Sequence, residues 1–254
     1  MRQVYYTILI YLCAISSVSA DLSQTIINIK PAIVGVGTVS PTRAPKSLFQ
    51  GTGFVVADGQ HIITNAHVLP ETLDEEKNEQ LAIFLPAAGN KITGKLVKTV
   101  AIDKLHDLAL LKMTSGRLPA LQLGNSEQVL EGQRYAFTGF PVGMILGLKP
   151  VTHEGIVSAI TPIAIPAQSS RELSPAIIKM QRNPYSVFQL DATAYPGNSG
   201  SPLYDVKSGA VVAVINKVFV KATKEAVLKD PSGITYAIPV EYVKALLKKE
   251  KLSF

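Results

Sequence analysis

Short apolar segments separated by turn residues constrain the fold of this chain more than any other feature. Each segment has the length of a β-strand and is bounded by Gly, Pro, Asn or Asp, the pattern of antiparallel strands. The dipeptide Asp58-Gly59 indicates a hairpin. The sequence therefore predicts an all-β domain, either a sandwich or barrels.

The predicted strands form two series with a connection near 115–125. The first series comprises Ala32–Val39, Gly51–Ala57, His61–Thr64, Leu81–Leu85, Gly94–Ala101 and Leu108–Met113. The second comprises Tyr135–Gly139, Gly155–Ile160, Val187–Asp191, Ser201–Tyr204, Ala210–Val218 and Ile234–Ile238. Helical spacing is predicted only at the ends, over Asp21–Lys30 and Pro239–Lys251.

Residues 1–20 have the composition of a secretory signal peptide. Arg2 is followed by an apolar run from Val4 to Val18, and Ser19-Ala20 completes a plausible cleavage site. An uncleaved anchor is the alternative, but the run is short for a membrane span. Cys13 is the only cysteine, so the cleaved chain would contain none. We therefore expect an exported bacterial protein, periplasmic or secreted, without a stable membrane span after signal removal.

The charge pattern excludes one class of partner. The formal net charge is +6, and several lysines lie near the C-terminus, where a solvated helix face accounts for them. Because no basic patch interleaved with aromatic residues is present, we do not expect nucleic-acid binding.

Ser199 lies in a stretch suited to a nucleophile. The stretch Tyr195–Pro202 places it among small residues and prolines, between two apolar runs. Glycines there allow another molecule to approach the backbone closely. A nucleophilic serine also needs a base and an orienting carboxylate. The candidates are His67, directly after a buried strand, and Asp107, at the start of another.

Two other kinds of site are disfavoured. His61 and His67 lack metal-ligand spacing with an acid or a cysteine, so we expect no metal and no cofactor. An α/β-hydrolase would present serine before histidine within a G-x-S-x-G elbow. Here the histidine comes first, and Ser201 occupies the place of the final glycine.

Taken in order, these stretches resemble the trypsin-like serine proteases of the chymotrypsin fold, and most closely their bacterial HtrA/Deg branch. The matching segments are Gly51–Phe54, Thr64–His67, Asp107–Leu111, Pro196–Gly200 and Tyr236–Pro239. The resemblance implies two antiparallel six-stranded β-barrels followed by a C-terminal helix. The protease domain would span 21–254, with barrels at about 31–115 and about 120–239 and the helix at 240–251.

The resemblance also implies roles for individual residues. Ser199 would be the nucleophile, His67 the general base and then acid, and Asp107 the group that orients His67. The backbone N–H groups of Gly197 and Ser199 would form the oxyanion hole. Polypeptides would be the substrates, and a homotrimer is one assembly that the family suggests.

The substrate pocket is expected to accept uncharged residues. In the family the pocket floor lies six residues before the nucleophile, at Thr193, and the walls would be Ile215-Asn216-Lys217 and Tyr236. Because Thr193 is not acidic, we expect cleavage after small or aliphatic residues.

The sequence departs from the family pattern in three respects. Ser201 replaces a usual glycine, and Asn198 stands where classical trypsins have an aspartate that pairs with a newly cut N-terminus. Activation by cleavage before Ile33 is therefore not expected. The residues after Pro239 suffice for one helix and not for a PDZ module. The long Thr161–Pro184 loop is the candidate for gating.

A catalytically inactive, protease-like binding protein of the cell envelope is the alternative function.

Overall fold

The computed structural model describes residues 21–87, 91–141, 148–163, 184–216 and 234–254. The predicted signal peptide, Lys217 and residues 164–183 of the predicted gating loop lie outside the described residues.

Twelve strands form two closed barrels, which confirms the predicted fold class. The first barrel has the strand order β1-β2-β3-β6-β5-β4, and every neighbouring pair is antiparallel. Its strands are β1 Ile33–Val39, β2 Ser47–Val56, β3 His61–Asn65, β4 Gln80–Pro86, β5 Ile92–Asp103 and β6 Leu108–Met113.

The second barrel repeats the same closed arrangement in the order β10-β11-β12-β9-β8-β7. Its strands are β7 Arg134–Gly139, β8 Val151–Pro162, β9 Ser186–Asp191, β10 Pro202–Asp205, β11 Val211–Asn216 and β12 Ile234–Pro239. The predicted strand was shorter than β8. Exposed residues such as Glu154 alternate with partly buried ones along β8, and they obscure the apolar pattern on which the prediction was based.

Both predicted helices are present. Helix α1 is Leu22–Ile29, and the Asp21 side chain caps it by accepting a hydrogen bond from Ser23 N–H at 3.3 Å. Helix α2 is Val240–Lys249. Its buried residues are Val240, Val243, Leu246 and Leu247. Within the described part of the chain, no helix is long and apolar enough to cross a membrane.

Buried apolar side chains form a cluster within each barrel, a cluster that joins the barrels, and a small cluster of Tyr185 and Val187. The cluster of the first barrel includes Val36 and Ile62, and that of the second includes Phe137 and Leu190. The joining cluster combines both barrels with α1 and α2: Ile29, Phe54, Tyr204, Val211, Ile238 and Val243 are among its members. The two barrels therefore share a core, and the ends of β3, β6 and β11 meet the middle of β2 at their junction.

An acidic segment, Pro70–Gln80, contains no helix or strand before β4 and is mostly exposed. Glu79 is half-buried, as are Pro70 and Asp74. The Glu79 carboxylate is held by two side chains. It accepts a hydrogen bond from Thr38 Oγ1 at 2.6 Å and forms an ion pair with Arg43. These contacts fix the end of the loop to β1.

Candidate active site

His67 and Asp107 are brought together by neighbouring strands of the first barrel. β3 ends at Asn65, and its partner β6 begins at Leu108, the residue that pairs with Asn65. His67 lies in the 3₁₀ turn that follows β3, and Asp107 directly precedes β6. The two side chains therefore meet at one edge of the barrel, where Asp107 Oδ2 lies 2.5 Å from His67 Nδ1.

The Asp107 carboxylate accepts three hydrogen bonds. The backbone N–H of His67 donates to Oδ1 at 2.9 Å, and Asn216 Nδ2 donates to Oδ2 at 2.9 Å, beside the bond from His67 Nδ1. Because a carboxylate accepts and does not donate, Nδ1 of His67 carries the proton and Nε2 is left able to take one. The imidazole is accessible for that purpose, since 44% of the side chain is exposed.

Asn216 is a contact of Asp107 that the sequence did not predict. It ends β11 in the second barrel and is buried. The sequence predicted Asn216 as a wall of the substrate pocket, and the structure shows its amide bonded to the carboxylate. Asp107 therefore links the two barrels.

The backbone of Asp107 is in a strained conformation. Its φ of 51° lies in the left-handed region, which costs a non-glycine residue on the order of 1–3 kcal/mol unless the surroundings hold it. The carbonyl of Asp107 accepts hydrogen bonds from Asn65 Nδ2 at 3.0 Å and from Ala66 N–H at 3.1 Å. These bonds to the end of β3 stabilise the conformation that points the carboxylate at His67.

The loop of Ser199 belongs to the second barrel but is held by Thr52 of the first. Thr52 N–H donates to the Ser199 carbonyl at 2.9 Å, and Thr52 Oγ1 donates to the Gly197 carbonyl at 2.6 Å. The same hydroxyl accepts from Phe140 N–H at 3.0 Å. One β2 side chain thus connects the Ser199 loop with the segment after β7.

Two glycines are required for this close approach. Gly197 has φ 100° and Gly200 has φ 87°. A Cβ on Gly200 would lie 2.0 Å from the Thr52 carbonyl oxygen, and one on Gly197 would lie 2.3 Å from the Phe140 carbonyl oxygen. A larger residue at position 200 would push the loop away from β2 of the first barrel, and one at position 197 would push it away from the segment after β7.

The backbone of the loop alternates between bonded and free N–H groups. Asn198 N–H donates to the Tyr195 carbonyl and Gly200 N–H donates to the Ile215 carbonyl. The N–H groups of Gly197 and Ser199 have no acceptor among the described residues. Two free donors flanking Asn198 are what an oxyanion site requires.

The Ser199 hydroxyl forms no hydrogen bond with His67 or with any other residue that the structure describes. Ser199 is largely buried, with 6% of its surface exposed. In free enzymes such bonds are often long and tighten only when substrate binds.

The predicted pocket residues occupy different surroundings. Thr193 is half-buried, and Thr235 fixes the backbone on both sides of it by donating to the Ala192 carbonyl at 2.6 Å and accepting from Ala194 N–H at 3.0 Å. Ile215 is fully buried. Tyr236 is half-buried on the strand next to β11. Thr235 was not predicted, since a single threonine gives no sequence signal.

Ser201 and Asn198 fill a buried space next to Ser199. Both are fully buried, and the Ser201 hydroxyl and both polar atoms of the Asn198 amide have no partner among the described residues. Gly139 makes room for them, because a Cβ there would lie 2.0 Å from Ser201 Oγ. The serine that departs from the family pattern is thus accommodated opposite a glycine.

We expect Ser201→Ala to raise the free energy of unfolding by about 1 kcal/mol, because the change removes a buried hydroxyl that has no partner. Urea denaturation of the variant and the parent chain measures the difference. Thr138→Val is the matched control, since Thr138 Oγ1 is also buried but bonded to Tyr204 Oη at 2.7 Å and should lower stability when removed. A loss of stability for both variants would contradict the prediction.

Comparisons with known proteins agree with this architecture. A family model described as a trypsin-like peptidase domain matches residues 51–214. A probable periplasmic serine endoprotease, DegP-like, from Halomonas elongata is 30% identical over 192 residues, which cover 75% of this chain and 33% of that protein. A putative serine protease HhoB from Synechocystis sp. is 28% identical over 201 residues, covering 79% and 40% respectively.

The solved structure of the HtrA-type protease AlgW with a tripeptide superposes with a TM-score of 0.63 at 23% identity. The match covers 90% of this chain and 62% of that one, and supports the fold. The chain thus spans 33% and 40% of the two curated relatives. Because the family model matches more than half of its residues, the chain belongs to the trypsin-like peptidase domain family.

Proposed function

We propose that this chain is a serine endopeptidase that hydrolyses polypeptides with Ser199, His67 and Asp107. One observation carries the proposal: the carboxylate of Asp107 is bonded to His67 Nδ1 and to Asn216 at the junction of the barrels. This arrangement leaves Nε2 of His67 available as a base. The loop that bears Ser199 is fixed to the same junction through Thr52.

The chemistry follows from these contacts. His67 Nε2 removes the proton of Ser199 as Oγ attacks the carbonyl carbon of the scissile peptide. The imidazolium that forms is stabilised by Asp107 and then gives its proton to the leaving amine. Water, activated by the same imidazole, hydrolyses the acyl-enzyme and restores Ser199.

The developing oxyanion would accept hydrogen bonds from the N–H groups of Gly197 and Ser199. The absence of a described intramolecular acceptor for either group supports this assignment. Loss of one such donor costs roughly 3–4 kcal/mol of transition-state stabilisation. The positive φ of Gly197 and its contact with Thr52 hold the donors in place.

The substrate residue before the scissile bond is proposed to be small or aliphatic. Thr193 offers no charge to a lysine or arginine side chain. Ile215, Asn216, Lys217 and Tyr236 are the proposed walls, with Asn216 also serving Asp107.

Export is proposed from residues 1–20 and from the name of the Halomonas elongata relative, which is called periplasmic. Unfolded or exported proteins in the bacterial envelope would then be the substrates. A homotrimer and a gating role for 161–184 stay proposals that rest on the family resemblance.

A fluorophosphonate probe tests the proposal, since it labels a serine only when that serine is activated. We expect labelling of the parent chain and none of Ser199→Ala. Denatured protein substrates incubated with each form should show new cleavage sites only with the parent chain. Mass spectrometry of the products should place small or aliphatic residues before the cut.

Circular dichroism at the same temperature shows whether both forms are folded. A folded parent chain without Ser199-dependent labelling would refute the proposal and favour the alternative, a protease-like binding protein. Cleavage mostly after lysine or arginine would leave the activity standing but refute the assignment of the pocket.

A further inference from the structure

Another imidazole–carboxylate pair, His106 with Asp103, lies next to Asp107 in the chain. The turn between β5 and β6 runs from Asp103 to Asp107, and the Asp103 carboxylate fixes it. Oδ1 of Asp103 accepts from Leu105 N–H at 3.0 Å and from His106 N–H at 3.2 Å, while Oδ2 lies 2.6 Å from His106 Nδ1. The orientation of the His106 ring is therefore set by its own turn.

The His106 ring also packs against two tyrosines from the second half of the chain. His106 stacks on Tyr242 with centroids 4.0 Å apart and planes inclined by 18°. It meets Tyr185 edge-on at 4.7 Å, and the two tyrosines contact each other at 5.2 Å. We call His106, Tyr185 and Tyr242 the tyrosine clamp.

The tyrosine clamp crosses the junction of the barrels. His106 belongs to the first barrel, Tyr185 directly precedes β9 in the second, and Tyr242 lies on α2. Burial raises the pKa of both phenols, so they remain neutral and contribute packing and not charge. Tyr185 is 8% exposed, and the His106 side chain is 16% exposed.

The tyrosine clamp affects the position of Asp107 because His106, a member of the clamp, directly precedes Asp107 in the chain. Asp107 must reach His67 in the first barrel and Asn216 in the second while its backbone stays at a strained φ. Clamping the preceding residue between the barrels limits the freedom of the Asp107 Cα. We propose that the tyrosine clamp positions Asp107, and hence His67, for the reaction, so that His106, Tyr185 and Tyr242 are positioning residues that contact no substrate.

The inference rests on the proposed function and is tested on the full chain with Tyr242→Ala. We expect kcat to fall roughly 10- to 100-fold, the effect of a small misplacement of catalytic groups. KM should stay within about twofold, since the substrate contacts are unchanged. Tyr242→Phe keeps the stacked ring and should retain the kcat of the parent chain.

Val243→Ala is the matched control. Val243 is the neighbouring residue of α2, is fully buried, and belongs to the cluster that joins the barrels. The Val243→Ala variant should lower Tm at least as much as Tyr242→Ala does, while kcat of the folded protein stays unchanged. The inference is overturned if Tyr242→Ala has normal kcat, or if Val243→Ala lowers kcat equally.

A spectroscopic readout separates this inference from the proposed function. The low-field proton NMR signal of His67 Nδ1–H, identified by its loss in His67→Ala, reports the bond to Asp107 without any turnover. We expect Tyr242→Ala to shift or broaden it, and Val243→Ala to leave it unchanged. If the parent chain has no activity, this NMR signal still tests the inference. An unchanged signal in Tyr242→Ala would mean that the tyrosine clamp does not position Asp107.

Discussion

Replacing Asp107 by asparagine is expected to lower kcat about 10⁴-fold, with the fold retained, which is the size of this effect in serine triads. The carboxylate accepts from three donors: His67 N–H, His67 Nδ1–H and Asn216 Nδ2–H. An amide offers one oxygen and one NH₂ group in its place, so at least one of these donors would face another donor. The imidazole would then carry its proton on Nε2, where it cannot act as a base.

The measurement is kcat on the best peptide substrate, normalised to the folded fraction. Asp58→Asn is the matched control, because Asp58 Oδ1 lies 2.7 Å from His61 Nδ1 in the same kind of pair, in the β2–β3 turn and away from Ser199. It should leave kcat unchanged. Retention of more than about a hundredth of the activity in Asp107→Asn would contradict the role given to the carboxylate.

Asn198→Asp is expected to destabilise the protein by roughly 3–5 kcal/mol at neutral pH, because it places a charge in a fully buried position without a partner. Burial raises the pKa of the new carboxyl in the folded state, so the folded chain binds more protons than the unfolded chain. The loss relative to the parent chain is therefore largest at neutral pH. It should shrink as the pH falls toward the ordinary pKa of a carboxyl group.

Urea denaturation at neutral pH and at about pH 4 measures both parts of this prediction. Comparison with the parent chain at each pH removes the contribution of native acids such as Glu79, whose pKa is lowered by the hydrogen bond from Thr38 and by Arg43. Asn198→Leu is the control for shape, and it should cost far less than the charged variant. Full stability of Asn198→Asp at neutral pH would mean that a donor or cation reaches this position.

The barrels were predictable because the apolar runs in the sequence coincide with segments that the fold buries as strands. Apolar runs such as β6 Leu108–Met113 were predicted with their exact bounds, and the Asp58-Gly59 turn does join β2 to β3. The bounds were less accurate for β5 and β8, whose exposed residues interrupt the apolar pattern. In these strands, hydrogen bonds to two neighbouring strands extend the regular structure beyond its apolar centre.

The candidate site was predictable only in part. The flanking apolar strands singled out His67 and Asp107 among residues of their type. The contact of Asn216 with Asp107, and those of Thr52 with the Ser199 loop, join residues far apart in the chain. They depend on how the two barrels are placed relative to each other, which no local pattern encodes. The stacking of His106 on Tyr242 was missed for the same reason.

The contacts of Thr52 have a consequence for how such a chain can evolve. Its backbone N–H and hydroxyl lie in one barrel and hold the Gly197 and Ser199 carbonyls of the other. Recombination that exchanged a single barrel between relatives would replace one partner in each of these contacts and so disturb the Ser199 loop. The two barrels are thus inherited as one unit, and new specificities are expected to arise in the loops between strands and not by shuffling of halves.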